Sequence, residues 1–376
     1  MKFNILQYLP EKTKVKLPKN LVELLFNGKN LTQWSKYLDI SMKNLSRYRN
    51  RSRSMPLKLF NKLFKISNLN LNNLQNKIEL KLNNTGKFLN IGPTINIDKN
   101  WIYVSELIKG DSHINHNFWN ISFTNKDKGL VDIIKNFFIS LGLDKKRISL
   151  YNKKRVYIII IRSSILAHIF NGIFGIPSGK KEETPIKEFI LNKQEFAIAA
   201  VRAAFDAEGS ITFTGSRRIS ISSNSKIWVD NLQEILVKLK IKSRVFKETK
   251  NRKTPIYRLF IYHIINLKKF NDIIQPLHKK RKEKLKEIIK NFKKKPTRVF
   301  HKDVLLSIQE GNQKRREIAD YLNKDIKLIG NHISWMNKNQ LIEPFEKIYT
   351  NRGSFFKYRI TSKGKRYLED SVSFFN

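Results

Sequence analysis

The sequence predicts a mixed α/β fold, more strictly α+β, in which a duplicated core is flanked by a helical unit at each end. Two observations predict the duplication. An apolar helix ends on an acidic residue at Asp111 and again at Glu208, and a short strand follows each acid. Behind both acids, the apolar residues repeat the same order of strand, helix, basic hairpin and helix. Each half is therefore expected to be an αββαββα repeat, with repeat 1 at 101–192 and repeat 2 at 193–292.

The charge of the chain indicates a polyanionic partner. Its 376 residues include 74 Lys and Arg against 31 Asp and Glu, a net charge of +43. A chain this basic attracts the phosphates of a nucleic acid over long distances. A codon bias towards A+T explains part of the lysine excess but not the scarcity of acids. We therefore expect a monomer that binds double-stranded DNA, with RNA as the less favoured partner.

Several classes of protein are excluded by composition. The sequence has no cysteine, which excludes disulfides and zinc sites with thiolate ligands. Its longest apolar run, Val156–Ile161, is far shorter than the ~20 residues of a membrane helix and is expected to be a buried strand. The N-terminus lacks the apolar stretch of a signal peptide. A soluble, cytoplasmic protein is expected.

The N-terminal segment, residues 1–68, is expected to be helical. The stretch Leu31–Arg49 predicts two helices joined at Asp39, a residue type that tolerates positive φ in a tight turn. It resembles the helix-turn-helix of phage-repressor-like DNA-binding domains, whose second helix enters the major groove. The alternative is a plain helical bundle with a solvated basic face. Residues 69–100 are expected to be a linker or a short edge structure. The candidate DNA contacts here are Arg47, Arg49 and Arg51.

The C-terminal segment, residues 300–376, predicts three helices followed by a hairpin at about 346–360. This order resembles the winged helix-turn-helix found in archaeal regulators. A protein-interaction module is the alternative interpretation.

The paired acids carry the chemical argument. A carboxylate at a helix C-terminus faces the negative end of the helix dipole, which costs ~0.3–1 kcal/mol before a second acid is considered. Asp111 and Glu208 together are therefore expected to need a cation, and divalent cations assist phosphodiester cleavage. Two ordinary surface acids are the alternative.

With both motif copies in place, residues 101–290 resemble the LAGLIDADG homing endonucleases, specifically the single-chain members with two motifs. The resemblance implies a pseudo-twofold fold whose motif helices pack together, with Asp111 and Glu208 binding Mg²⁺, for which Mn²⁺ can substitute. It implies two curved sheets that form a saddle over a long DNA site. It also implies polar groups that hold metal-bound water and basic groups that assist catalysis: Asn125, Ser223, Lys181, Lys279 and Lys280.

The first motif helix departs from the family pattern. Tyr103 and Glu106 stand where small residues are usual, and Ser112 replaces a glycine. A carboxylate in a helix interface is costly unless it is paired, so the geometry of the first half-site is in question. His113 and His116 lack further ligands and are assigned to DNA or solvent contact.

The expected function is that of a site-specific, metal-dependent endodeoxyribonuclease, free-standing or intron-encoded. Alternate residues of a strand share one face, so the two strands after the second motif helix are expected to present hydroxyl and guanidinium groups to base edges. A non-catalytic transcription regulator on the same fold and an intron RNA maturase are the alternatives. The candidate DNA contacts of the core are Arg155, Thr212, Arg217, Arg218, Ser220 and Ser222.

Overall fold

The structure is a computed structural model. It describes residues 1–67, 69, 78–82, 89–179, 183–213, 217–249, 254–290, 301–322, 324–350 and 353–370. The chain divides into two compact units, Met1–Phe292 and Lys293–Asn376. Among the described residues, no helix is both long enough and apolar enough to span a membrane.

The N-terminal part of the first unit combines helices with short strands. Its helices are α1 (Lys19–Leu25), α2 (Leu31–Leu38), α3 (Met42–Arg49) and α4 (Leu57–Ile66). Its strands are β1 (Lys2–Asn4), β2 (Lys14–Lys16) and β3 (Met55–Pro56). A capping box between Asn30 and Gln33 starts α2, and Asp39 ends it with φ 54° and ψ 50°. The backbone at Asp39 thus has the left-handed conformation that turns the chain into α3.

Residues 69–100 differ from the expected linker. Their described part holds three paired strands: β4 (Ile78–Lys81), β5 (Leu89–Ile91) and β6 (Thr94–Asn96). Strands β3, β2, β4 and β5 form one antiparallel sheet in that order, and β1 pairs with β6. Alternate residues of β4 and β5 are buried in an apolar core that continues into the repeats. The N-terminal segment is therefore built onto the core and is not purely helical.

Repeat 1 has the expected αββαββα order. Its elements are α5 (Lys99–Asp111), β7 (Ser112–Ile114), β8 (Ile121–Asn125), α6 (Lys128–Ser140), β9 (Ile148–Lys153), β10 (Val156–Ile161) and α7 (Ser164–Phe174). Its four strands form an antiparallel sheet in the order β7-β8-β10-β9. A short helix, α8 (Glu188–Leu191), lies between the repeats.

Repeat 2 has the same order, which confirms the duplicated α+β fold. Its elements are α9 (Gln194–Glu208), β11 (Gly209–Thr212), β12 (Arg218–Ser223), α10 (Lys226–Lys238), β13 (Ser243–Glu248), β14 (Ile256–Tyr262) and α11 (Ile264–Ile274), followed by α12 (Lys279–Lys290). The sheet order is β11-β12-β14-β13. The strand registers also agree, since Asn125 pairs with Tyr157 in repeat 1 and Ser223 with Tyr257 in repeat 2. Equivalent positions can therefore be compared directly.

The second unit has a separate apolar core. Its elements are α13 (His301–Gln309), α14 (Arg315–Tyr321), α15 (Ile326–Lys338), β15 (Ile342–Thr350), β16 (Gly353–Ile360) and α16 (Ser362–Asp370). Val304, Ile318 and Ile333 belong to the core that joins the helices. Strands β15 and β16 form an antiparallel hairpin. The sequence interpretation did not include the last helix.

Candidate metal and nucleic-acid site

The two motif helices touch at the residues that precede their acids. A Cβ added to Gly110 would lie 2.7 Å from the Cβ of Ala207 and 3.8 Å from Cγ of Glu208. Only a residue without a side chain leaves room for this approach. The contact brings Asp111 at the end of α5 and Glu208 at the end of α9 to the same place, and both residues are half-buried.

Asp111 is held by Asn125, the last residue of β8. Asn125 Nδ2 donates a hydrogen bond of 2.6 Å to Asp111 Oδ2. The Asn125 amide oxygen accepts from the backbone N–H of Asp127 at 2.8 Å, which fixes the direction of the amide. In repeat 2, the equivalent Ser223 lines a cavity of about 340 Å³ together with Glu208. Asn125 and Ser223, which the sequence suggested as polar groups of the site, thus lie beside the two acids.

Arg281, which the sequence interpretation did not select, is a basic group that interacts with both acids. Its guanidinium donates to the carbonyl oxygens of Phe205 and Ala207 at 3.0 Å each, and also to that of Asp206. These carbonyls belong to the last turn of α9, where a cation is favourable. Burial lowers the pKa of Arg281, and the attraction of Asp111 first, then of Asp206 and Glu208, opposes that shift.

The lysines selected from the sequence are placed differently. Lys279 and Lys280 are exposed at the start of α12, and Lys181 lies outside the described residues. The helices α7 and α11 end on equivalent left-handed residues, Gly175 and Gln275. Lys181 and Arg281 lie the same number of residues after Gly175 and Gln275, respectively. This equivalence in the sequence could have identified Arg281 as a candidate.

Glu106 is fully buried, as is the lysine that neutralises it. Lys109 Nζ lies 2.7 Å from Glu106 Oε1 and also donates to the carbonyl oxygen of Pro185 at 3.2 Å. Trp228 of repeat 2 donates its indole N–H to Glu106 Oε2 at 3.1 Å. The carboxylate that looked costly in the sequence is therefore paired, and it links the first motif helix to α10 of the other repeat.

A second polar contact crosses the helix interface. Tyr103 donates to Asp206 Oδ2 at 2.8 Å, and the backbone N–H groups of Leu277 and His278 donate to the same carboxylate at 2.9 and 3.0 Å. Burial raises the pKa of Asp206, and the three hydrogen bonds oppose the shift. Burial first, and the neighbouring Asp206 next, raise the pKa of Tyr103.

Each repeat also reaches the cap of a helix in the other repeat. His278 Nδ1 lies 3.0 Å from Oδ2 of Asp127, the N-cap residue of α6. In the opposite direction, Ser225, the N-cap residue of α10, donates to Glu183 Oε2 at 3.3 Å. Burial first, and then Arg281, lower the pKa of His278. These contacts tie both halves of the site together around the acids.

The candidate DNA contacts of repeat 2 lie on the sheet face opposite the core. Thr212, Arg218 and Ser222 are partly exposed there, and the Arg218 guanidinium stacks 4.3 Å from the centre of the Phe260 ring. Ser220 is on the same face but only 6 % exposed. It is therefore the least accessible of these candidates, and its assignment as a base contact stays a prediction.

The other candidate contacts are accessible. Arg155 lies at the turn between β9 and β10, and Arg217 is half-buried before β12. Strand β10, expected to be buried, is buried at Ile159 and Ile161 and half-buried at its other positions. The candidates that are exposed are Arg47, Arg49 and Arg51 on or just after α3, Arg155, His113 and His116.

The residues around the acids fit a hard divalent cation. Mg²⁺ prefers oxygen ligands and is usually held by one or two carboxylates, with water and substrate phosphate completing its shell. Asp111, Glu208 and the amide and hydroxyl groups of Asn125 and Ser223 are of this type. Within the described ranges, no three His, Cys, Asp or Glu side chains gather into a metal-binding group, so water and phosphate would have to supply the remaining ligands.

Residues 195–275, which lie within repeat 2, match the family model of the LAGLIDADG-like domain.

Over 224 residues, the chain is 25 % identical to the probable translation initiation factor IF-2 of Methanocaldococcus jannaschii, a match that covers 58 % of this chain and 18 % of that relative. The chain thus spans less than a fifth of the relative's length. Among solved structures, I-DmoI in complex with DNA and Mn is 17 % identical, covering 48 % of this chain and 98 % of that one, with a TM-score of 0.38. Full-length DUF199/WhiA from Thermatoga maritima is 14 % identical, covering 65 % and 93 %, with a TM-score of 0.35.

Proposed function

We propose that this protein is a site-specific DNA endonuclease that hydrolyses phosphodiester bonds in a long duplex target. The observation that carries the proposal is the contact of Gly110 with Ala207, which brings the acids of two different motif helices together. Two carboxylates at two helix C-termini repel each other and the helix dipoles. Such an arrangement is favourable when a cation lies between them, and the match to the LAGLIDADG-like domain supports the same reaction.

Asp111 and Glu208 would hold Mg²⁺ or Mn²⁺. When bound, the metal would act as a Lewis acid on the phosphate and lower the pKa of a coordinated water. The chain's own groups have separate roles. Asn125 orients the Asp111 carboxylate, and Ser223 offers a hydroxyl beside Glu208. Arg281 places a fixed positive charge near both acids, where a scissile phosphate would bring negative charge.

The surface around the site fits a duplex. Arg218 and Thr212 share the outward face of the second sheet, and guanidinium and hydroxyl groups can read base edges in a major groove. Arg155 at the hairpin tip suits a phosphate contact, as do the exposed Lys279 and Lys280. We infer that α2 and α3 act as a helix-turn-helix and the second unit as a winged helix, and both would lengthen the footprint.

A DNA-binding regulator without cleavage activity is the second candidate, because of Arg281. Its guanidinium attracts both Asp111 and Glu208, so it can supply part of the neutralisation that a metal would provide. If that neutralisation suffices, the acids stabilise the interface and bind no metal.

A cleavage selection on a randomised duplex library with Mg²⁺ separates the two candidates. The wild type is compared with Asp111→Asn, Glu208→Gln and the control Asp230→Asn, whose carboxylate pairs with Lys226 on the surface of α10. An endonuclease gives discrete cuts with the wild type and the control but none with the two site variants. If all four proteins enrich the same sequences and none cuts, the endonuclease proposal is overturned in favour of the regulator.

A titration with Mg²⁺ by calorimetry gives a second readout. The endonuclease proposal expects saturable binding to the wild type and to Asp230→Asn, and loss of binding in Asp111→Asn and Glu208→Gln. Equal heats from all four proteins would show that Asp111 and Glu208 do not hold the metal.

A further inference from the structure

The hairpin of the second unit exposes an unusual number of aromatic rings. Tyr349 is 75 % exposed, and Phe345, Phe355 and Phe356 are 41, 36 and 42 % exposed. At the opposite end of the hairpin, by contrast, the apolar side chain of Ile342 is buried in the core. Large apolar rings that remain open to water mark a binding surface more often than a structural one.

Positive charges are interleaved with these rings. Lys347 Nζ lies 5.0 Å from the centre of the Tyr349 ring and 5.7 Å from that of Phe356. Lys314 is 5.9 Å from the Phe355 ring, and Arg359 is 5.9 Å from that of Phe345. Each exposed ring therefore has a cation beside it.

The acids of the same hairpin are neutralised within it. Glu343 pairs with Arg359 and Glu346 with Lys357, each at 2.7 Å. Next to the hairpin lies a groove of about 460 Å³ that includes cationic and aromatic side chains. The residues described as lining it are Lys314, Arg315, Arg316, Ile326, Ser354, Phe355, Phe356 and Tyr358. Of its cations, Lys314 pairs with Glu317 at 2.6 Å. The surface thus presents aromatic faces to a polyanion.

We propose that this hairpin binds single-stranded nucleic acid, with bases stacked on the rings of Tyr349 and Phe356 and phosphates held by Lys347 and the groove cations. In a duplex, both faces of a base are already stacked, and only edges and phosphates are accessible. An exposed ring gains a partner from an unpaired base, which offers its whole face. The cationic groove favours this occupant over an apolar protein surface, because its charges would lose water without gaining phosphate.

The test is binding of fluorescent single strands to the full-length protein. Labelled dT and rU oligonucleotides are titrated by fluorescence anisotropy, with excess unlabelled duplex present to occupy duplex-binding surfaces. The double variant Tyr349→Ala, Phe356→Ala is expected to bind the strands about a hundredfold more weakly, because each of the two stacked bases contributes about one order of magnitude. Tyr349→Phe keeps a stacking face and is expected to bind like the wild type. The matched control is Tyr367→Ala, an exposed tyrosine on α16 of the same unit.

The salt dependence distinguishes stacking from charge. The aromatic variants lose no charge, so the slope of affinity against salt should not change. Lys347→Gln should reduce that slope by about 0.7, the value for one phosphate contact to a single strand. Tighter binding of the dT oligonucleotide would identify single-stranded DNA as the ligand, and tighter binding of the rU oligonucleotide would identify single-stranded RNA.

Two results would overturn the proposal. One is single-strand binding that is equal in the double variant and the wild type. The other is a loss of binding to a labelled duplex in the double variant that equals its loss of single-strand binding. That result would show that the hairpin contacts duplex. Circular dichroism confirms that each variant is folded, and because Tyr349 is largely exposed its removal leaves the apolar core intact.

Discussion

Tyr103 of the first motif helix donates a hydrogen bond of 2.8 Å to Asp206 of the second motif helix, across the interface of the two repeats. A bulky tyrosine stands where the helix packing would favour a small residue, and the buried carboxylate accepts its hydroxyl. The pair shows how the altered first motif is accommodated by its partner helix. It also gives the first of five predictions.

Tyr103→Phe should destabilise the first unit by about 1.5–3 kcal/mol, the range for a hydrogen bond to a charged group. The loss is limited because Leu277 and His278 still donate to Asp206. The measurement is the free energy of unfolding in urea. Tyr37→Phe, at a largely exposed tyrosine, is the control and should match the wild type.

Asp206→Asn should change the pH dependence of stability. Because burial raises the pKa of Asp206 in the folded state, the folded protein binds its proton more tightly than the unfolded chain does. The contribution of Asp206 to stability is therefore fully present below its ordinary pKa of 3.8 and is lost as pH rises through the raised value. The asparagine side chain of the variant does not titrate, so it makes no such pH-dependent contribution to stability.

The destabilisation caused by Asp206→Asn, measured by urea unfolding, should thus be larger at the acid end of this window than at neutral pH. A cost that stays constant, or that grows with pH, would contradict the shift.

Lys109→Met should be strongly destabilising, by about 3–5 kcal/mol, because it leaves the buried Glu106 carboxylate without its counter-ion. The double variant Glu106→Gln, Lys109→Met should be closer to the wild type, since an amide needs no counter-ion and can still accept from Trp228. Unfolding free energies of the wild type, the single and the double variant test this. If the double variant is as unstable as Lys109→Met alone, the uncompensated charge is not the cause.

Gly110→Ala should separate the motif helices at the acids. The added Cβ would lie 2.7 Å from that of Ala207, and overpacking of this kind costs about 1–3 kcal/mol. The exchange Gly110→Ala, Ala207→Gly moves the methyl group to the other helix and should recover most of the stability. Thermal unfolding of both variants is the measurement, and equal stability of the two would exclude a steric cause.

Asn125→Ala should weaken metal binding at Asp111. Groups that orient a ligand typically change metal affinity by about 10–100-fold when removed, so the Mg²⁺ midpoint of cleavage or of calorimetric binding should rise by that factor. Thr124→Ala alters the neighbouring residue, which points to the opposite face of the same strand, and should leave the midpoint unchanged. If the Mg²⁺ midpoint is unchanged in Asn125→Ala, the Asn125 amide does not contribute to metal binding.

The sequence predicted the repeats because their signals are local. A helix that ends on an acid, and strands with alternating burial, are visible as spacings of apolar residues. The turn at Asp39 followed from the residue type alone. For residues 69–100 the sequence left a linker and a short edge structure open, because short strands next to an Asn-rich stretch carry too few residues for a clear period.

Other features depended on contacts between distant residues. Arg281 was passed over because two exposed lysines precede it, and only the packing of α12 shows that its guanidinium reaches the end of α9. Ser220 alternates correctly along its strand, yet its neighbours cover it, which no strand pattern reveals. The pairing of Glu106 required Trp228 from the other repeat.

By itself, the sequence determined the duplication, the two acids that end the motif helices, and a charge suited to nucleic acid. The tertiary structure decided which groups surround those acids and how the unusual first motif is tolerated. The physical reason is that helix and strand periods arise from neighbouring residues, whereas the environment of a buried charge is set by side chains from several elements that meet only on folding.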